Sequence, residues 1–350
     1  FKKEKPNPQT NLNEYNGKKH LREVKYNDIL IGIQSSGATG EQKTIIHRLS
    51  NLLESARTVN KGLSIRENNI YHICLPLNHI AGLAILFRSM VGSFSIRKTT
   101  KDELKKGDLR GVISLVSAQV PLILANNYIV PNHLKLFIGG GKPNPDYLKR
   151  CIEKGFPLYT SYGSSETAST FAMRKHLSSK NLNSSGRPFK GSSAKVIDKI
   201  LYIKSPYLFT GLLIENQILP PATSNGYFKT NDQAEIKEGE IFILGRSDQV
   251  IVTGGKNISL ESIRTQISNE INNDQFYLVS HNHEKWGESY SVIFESTEKI
   301  NEHAITISLN KILKNEYKPS KIEFISENHH FDGIKPSKNE LLKIIKEKSY

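Results

Sequence analysis

Cysteine is scarce in this chain. Its two cysteines in 350 residues, Cys74 and Cys151, sit far apart and in no metal-ligand spacing. That excludes a disulfide scaffold and fits a reducing compartment. No apolar run approaches a membrane-spanning length. The lysines near the first residues lead into polar sequence, so no secretory leader is expected. A soluble, cytoplasmic protein without stable membrane insertion is therefore expected. Internal repeats and long low-complexity tracts are also missing. Acidic residues are outnumbered, 34 against 48 basic ones, which leaves a formal charge of +14. The lysines are spread along the chain rather than gathered into one arm, and no recognition module is visible. A nucleic-acid role is therefore disfavoured, and anionic small substrates fit better. The apolar fraction is only 37%, yet it is concentrated in several strong runs, which argues against wholesale disorder. The length allows a large core and two domains.

What is present begins with Ser35-Ser36-Gly37-Ala38-Thr39-Gly40-Glu41-Gln42-Lys43. The preceding run, Ile29 to Ile33, reads as a buried strand, and Lys43 to His47 as a second one. Glycines let backbone N–H groups turn inward, hydroxyls add donors, and the lysine adds a mobile charge. The loop is either a phosphate grip or a surface turn. It is not the Walker pattern, because no Gly-Lys-Ser/Thr closes it. Ser50 to Asn60 has helical spacing, with Ser50 as a candidate N-cap. Ile70 to Leu77 is apolar and precedes a helix from about Ile80 to Val91. His79 stands at that junction and either faces a ligand or packs the turn. Arg88, inside the apolar helix, either snorkels to water or meets an anion.

Further strand candidates are Val112–Val116 and Leu134–Ile138. The second enters Gly139-Gly140-Gly141, which either lets a bulky ligand approach the backbone or forms a flexible turn. Pro157 to Ser161 leads into Tyr162-Gly163-Ser164-Ser165-Glu166-Thr167. There Tyr162 could stack on a base, Ser165 and Thr167 could donate to phosphate, and Glu166 could take Mg²⁺ or stay solvated. Beyond Arg187-Pro188, short β segments predominate and read as a small β subdomain. Asp232 lies in a turn-rich stretch and either holds a vicinal diol or forms the turn. Gly245 to Asp248 marks a boundary, and residues 249–350 read as a compact α+β unit.

The order of these motifs resembles the adenylate-forming superfamily of acyl- and aryl-CoA synthetases, adenylation domains and luciferases. Residues 35–43 resemble its phosphate loop, and Pro76-Leu77 with His79 its Pro-Leu-x-His motif. Gly139-Gly140-Gly141 and Tyr162 to Thr167 resemble its adenine strand and Mg²⁺ loop. The resemblance implies a large α/β N-terminal domain with a β subdomain over residues 1–247. A small, mobile α+β C-terminal domain over 248–350 would follow, hinged at Asp248. It implies ATP, Mg²⁺ and coenzyme A as reaction partners, with a carboxylic acid as substrate. Ser35, Ser36, Gly37, Thr39, Gly40 and Lys43 would cradle phosphates. Glu166 would hold Mg²⁺, with Gly163, Ser164, Ser165 and Thr167 around the nucleotide. Asp232 and Arg246 would hold ribose, and Gly254-Gly255 would line the pantetheine path. Lys335 would bridge carboxylate and phosphate, with Lys338 as the fallback. Within the superfamily the segment from Leu75 to Arg88 resembles the o-succinylbenzoate–CoA ligases, where Arg88 and His79 would meet the acid.

Departures accompany the likeness. Ala38 and Gln42 replace the usual hydroxyl residue and proline, Asn231 replaces glycine, and no glycine directly precedes Lys335. Only 34 residues precede Ser35. Against the family pattern this implies a reduced N-terminal subdomain, and a homodimer is expected to cover the apolar surface so exposed. Alternatives are another acyl-CoA synthetase, a carrier-loading adenylating enzyme, or a degenerate nucleotide-binding protein.

Overall fold

The computed structural model describes residues 29–36, 42–253, 256–271, 276–296, 301–313, 317–326, 329, 331 and 336–347. At its centre is a seven-stranded sheet in the order Ser95–Lys98, Ile70–Ile73, Gly111–Leu115, Leu134–Ile138, Leu158–Tyr162, Ala172–His176, Arg187–Pro188. The first five strands are mutually parallel, and Ala172–His176 runs antiparallel to both of its neighbours. The chain leaves Ile70–Ile73 toward one edge and returns on its other side at Gly111–Leu115. That reversal is a topological switch point, where crevices open at strand ends in such sheets.

Period-two alternation explains how this sheet is covered on both faces. Leu134, Leu136 and Ile138 join Ile113, Leu115 and Leu158 in one core with the helices Val120–Leu124 and Pro145–Glu153. Tyr71, Val112, Phe137 and Tyr159 point the other way, against Val59, Leu63 and Ile85. Those three belong to the helices Leu49–Leu63 and Ile80–Gly92. Cys151 lies in the first core, and burial pushes its thiol up to about 12, so it is an inert packing group.

Two antiparallel sheets flank the centre. One runs Leu30–Ser36, Gln42–Arg48, Gly211–Ile214, Gln217–Leu219. The other is built on the long strand Tyr227–Lys237, paired on one side with Ile200–Lys204 and on the other with Glu240–Arg246. A smaller α+β domain follows, in which strands from Val250 to Ser326 form a five-stranded sheet. Leu260–Ile271 and Glu302–Ile312 cover one face, and Lys338–Glu347 the other. No helix among the described residues is long and apolar enough to cross a membrane.

Three local expectations change. Only Ile33 of the Ile29–Ile33 run is buried, because its strand is an antiparallel edge with one face toward the core. The helix expected from Ser50 starts at Leu49, with Arg48 at the cap and no side-chain capping bond. Asp232 stands within the strand Tyr227–Lys237 rather than in a turn. The turn signal belongs to Asn225-Gly226, whose φ angles of 53° and 77° reverse the chain just before that strand.

Candidate active site

Two motifs meet through one histidine. The strands Leu30–Ser36 and Gln42–Arg48 form a hairpin whose last pairs are Ser35 with Lys43 and Ser36 with Gln42. Gly37, Thr39 and Gly40 of the expected phosphate loop, together with Ala38 and Glu41, lie outside the described residues, as do the side chains of Ser35 and Ser36. Lys43 is described and exposed. His47 follows on the second strand, on the face it shares with Ile31, Ile33 and Ile45. It is fully buried, and its Nε2 lies 2.6 Å from the Ser165 carbonyl. Burial holds its pKa below the ordinary value, against an upward pull from the Ser165 bond and nearby Glu166.

The turn after Tyr162 is tightly built. Ser165–Thr167 is one 3₁₀ turn, and Ala168 and Ser169 follow at φ 52° and 90°. Thr167, fully buried, donates its hydroxyl hydrogen to the Ser164 carbonyl at 3.1 Å and accepts the Ser164 amide at 2.8 Å. Its one hydroxyl hydrogen is thus engaged inside the turn, and donating it to a phosphate would require giving up that bond. Glu166 is half-buried, and its carboxylate bonds no other side chain among the described residues. A Cβ added at Gly163 would stand 1.9 Å from the Ser169 carbonyl oxygen. Gly163→Ala should therefore displace this turn and cost about 1–3 kcal/mol, which thermal denaturation would register; an unchanged melting temperature would contradict the packing described.

Tyr162 ends its strand 8% exposed, edge-on to Phe171 at 6.3 Å. Its hydroxyl donates to Asp232 Oδ2 at 2.5 Å, and Arg246 Nη1 lies 3.5 Å from Oδ1. Asp232 and Arg246 are direct cross-strand partners, which explains why residues fourteen apart in sequence share one spot. Burial and then the Asp232 carboxylate raise the Tyr162 pKa well above the usual range, so the phenol stays a donor. Gly139, Gly140 and Gly141 follow the neighbouring strand. A Cβ at Gly139 would press to 2.6 Å on Ser161 Oγ, Gly140 has φ +77°, and Gly141 has open space around it.

His79 caps the helix Ile80–Gly92 with extended backbone, half-buried and without a side-chain capping bond. Arg88 does not reach water: it is 2% exposed. Its Nη1 donates to Tyr71 Oη at 2.9 Å, and Nη2 lies 3.4 and 3.3 Å from the Ser169 and Thr170 hydroxyls. The guanidinium also lies 5.3 Å from the Phe137 ring centroid, while Nε has no partner among the described residues. No carboxylate bonds it among the described residues. Tyr71 in turn meets Ser114 Oγ at 2.7 Å, which ties Arg88 to both strands at the switch point.

The remaining residues are in the smaller domain. Lys338 Nζ donates to Ser280 Oγ at 3.0 Å within that domain. Lys335, Gly254 and Gly255 lie outside the described residues, the two glycines between paired Thr253 and Lys256. Asp248 lies in the 3₁₀ turn Ser247–Gln249 just before that sheet; its side chain is also outside the description. Sequence reasoning missed His47, Tyr71 and Ser114. The signal for each was slight: one polar atom in an apolar run.

The donor chemistry fits the implied groups. A lone, half-buried carboxylate suits Mg²⁺, which takes one or two carboxylates and completes its shell with phosphate and water. The glycine edge and the Asp232–Arg246 pair offer a flat approach and a polar hold for a nucleoside. The family described as AMP-binding enzyme matches residues 1–212. The 2-succinylbenzoate–CoA ligase of Enterococcus faecalis is 31% identical over 249 residues, covering 64% of this chain and 50% of its own length. An E. coli MenE variant with bound OSB-AMS superposes with a TM-score of 0.76 at 20% identity, over 91% of this chain and 69% of its own. Bacillus subtilis o-succinylbenzoate coenzyme A synthetase, in complex with ATP and magnesium ion, gives 0.71 at 21% identity, over 89% and 69%. These two structures share the fold. The chain spans half the length of the Enterococcus relative and about two thirds of either structure. With 212 of its 350 residues matched, the chain belongs to the AMP-binding enzyme family.

Proposed function

We propose that the protein is an ATP-dependent acid–CoA ligase whose acid is o-succinylbenzoate. The observation that carries the choice of acid is Arg88, a buried cation that has, among the described residues, no carboxylate partner and an unbonded Nε. A substrate with a second carboxylate would supply the missing charge, whereas an alkyl tail would leave it uncompensated. The similarity to 2-succinylbenzoate–CoA ligases supports the same reading.

In the first half-reaction one carboxylate of the acid attacks the α-phosphorus of ATP, and pyrophosphate leaves. Two anions must meet, so charge stabilisation dominates the barrier. Residues 35–43 hold the phosphates, Glu166 holds Mg²⁺, and Asp232 with Arg246 holds the ribose. When bound, the ion neutralises triphosphate charge. Lys335 bridges the two reacting groups. In the second half-reaction the coenzyme A thiol attacks the activated carbonyl and AMP leaves. A rotation of residues 248–350 about Asp248 withdraws Lys335 and brings Gly254-Gly255 to the pantetheine, with His79 at the acyl junction.

ATP–pyrophosphate exchange over a panel of acids tests this. Exchange with o-succinylbenzoate and not with monocarboxylic benzoates is the expected result. Exchange with other acids instead would reassign the substrate. None with any acid, while ATP still binds, would sink the ligase reading.

A further inference from the structure

Three backbone carbonyls of the turn that carries Glu166 are each held from outside it. His47 Nε2 takes the Ser165 carbonyl at 2.6 Å, the Phe209 amide takes that of Glu166 at 2.8 Å, and Ser55 Oγ takes that of Ala168 at 2.8 Å. All three donors trace back to the hairpin. His47 lies on its second strand, and Ser55 on the helix that continues it. The segment holding Phe209 is itself tied to the same strand, by the Thr210 amide to the Ile46 carbonyl at 2.7 Å. Asn51 Nδ2, on the same helix, fixes the Leu208 carbonyl at 2.7 Å.

Of these donors His47 is the costly one. A carbonyl can only accept, so Nε2 carries the hydrogen and Nδ1 carries a lone pair. That Nδ1 is buried and has no partner among the described residues. A stranded polar nitrogen in a core asks for a reason, since an aliphatic side chain would leave none.

We propose that His47 is a positioning residue: its Nε2–H locks the Glu166 turn onto the strand Gln42–Arg48, so that the metal carboxylate keeps one fixed place relative to that strand. The proposal rests on Glu166 being the Mg²⁺ ligand. Residues that hold a metal ligand in place typically contribute 10–100-fold in metal affinity.

The test compares His47→Gln, whose Nε2 can reach the same carbonyl, with His47→Leu and His47→Asn, which cannot supply that donor from the same place. ATP binding is measured by calorimetry across a Mg²⁺ series, beside AMP binding without metal and the melting temperature. His47→Leu and His47→Asn should need about 10-fold or more Mg²⁺ for half-maximal ATP affinity, with AMP affinity unchanged. His47→Gln should return close to wild type. Equal impairment in all three variants, or a wild-type Mg²⁺ dependence in the Leu and Asn variants, would overturn the proposal. If His47→Leu does not fold, the Asn and Gln pair decides. Because binding is read rather than turnover, a wild-type protein that shows no pyrophosphate exchange defeats the ligase reading and leaves this comparison intact.

Discussion

Replacing Arg88 by methionine should cut kcat/KM for o-succinylbenzoate by about 100- to 1000-fold while leaving the ligand-free protein as stable as before, or more so. The two halves have one cause. Arg88 is 2% exposed and has, among the described residues, hydroxyls and an aromatic face around it instead of a carboxylate. Hydroxyl bonds and the Phe137 ring repay only part of a buried charge's lost hydration. Methionine has similar length, needs no partner, and adapts to an irregular cavity. Removing an uncompensated buried charge is therefore neutral or favourable for folding. In the complex the balance inverts, because a substrate carboxylate that has lost its buried cation is left unpaired, at about 3–5 kcal/mol. ATP binding without the acid provides the control, since its affinity should be indifferent to a substitution that acts on the acid's second carboxylate. Arg88→Lys should fall between the two, as it keeps the charge but loses the planar fork. Calorimetric melting and exchange kinetics on the same preparations decide. A variant that melts far lower and loses activity toward every acid equally would make Arg88 a structural residue, tying Tyr71 to Ser169 and Thr170.

Much of this arrangement is written locally in the sequence. The alternation of Leu134, Leu136 and Ile138 against Phe137 assigns the two faces of a central strand, because side chains on a strand repeat every two residues. The carbonyl that makes Gly163 a required glycine comes from only six residues on, within the same motif. What stayed hidden depends on chain segments that meet only after folding. His47 and Ser165 are 118 positions apart, and Tyr71 and Ser114 are 43 apart. Nothing near either residue announces its partner. The Ile29–Ile33 run misled for a related reason. A short apolar run does not say whether one face or both will be covered, and here the antiparallel edge leaves Leu30 46% exposed. Asp232 was obscured by its neighbours: Asn225-Gly226 marks a true turn, but the strand that follows runs on to Lys237, and a bulge between Gln233 and Ala234 sits beside the carboxylate. The order of motifs was readable, whereas the cross-links that set their separations were not.

Lys335→Ala should slow adenylation by about 100- to 1000-fold and leave thioester formation from a supplied acyl-adenylate within a few-fold. Lys338→Ala should affect neither step by much. The ground for separating them is the start of the last helix. Ser337 and Glu340 form a capping box there, the Ser337 amide donating to Glu340 Oε2 at 2.7 Å and the Glu340 amide to Ser337 Oγ at 3.2 Å. Lys338 is the first residue inside that helix, and its ammonium is already bonded to Ser280 on the strand Phe276–His283. It would have to break that bond to act. A cation at a helix N-terminus is also opposed by the macrodipole, by about 0.3–1 kcal/mol, so alanine there should not cost stability. Lys335 precedes the cap by two residues, ahead of the helix that holds Lys338. If the lysine serves only the step in which two anions meet, its loss must separate the half-reactions, because the thiol's attack on a neutral carbonyl has no such crowding to relieve. Stopped-flow measurement of pyrophosphate release, beside thioester formation from synthetic adenylate, reads the two steps independently. Loss of adenylation in the Lys338 variant alone would transfer the role. An equal fall in both steps on losing Lys335 would remove the case for a lysine withdrawn between half-reactions, and with it the reason for residues 248–350 to rotate.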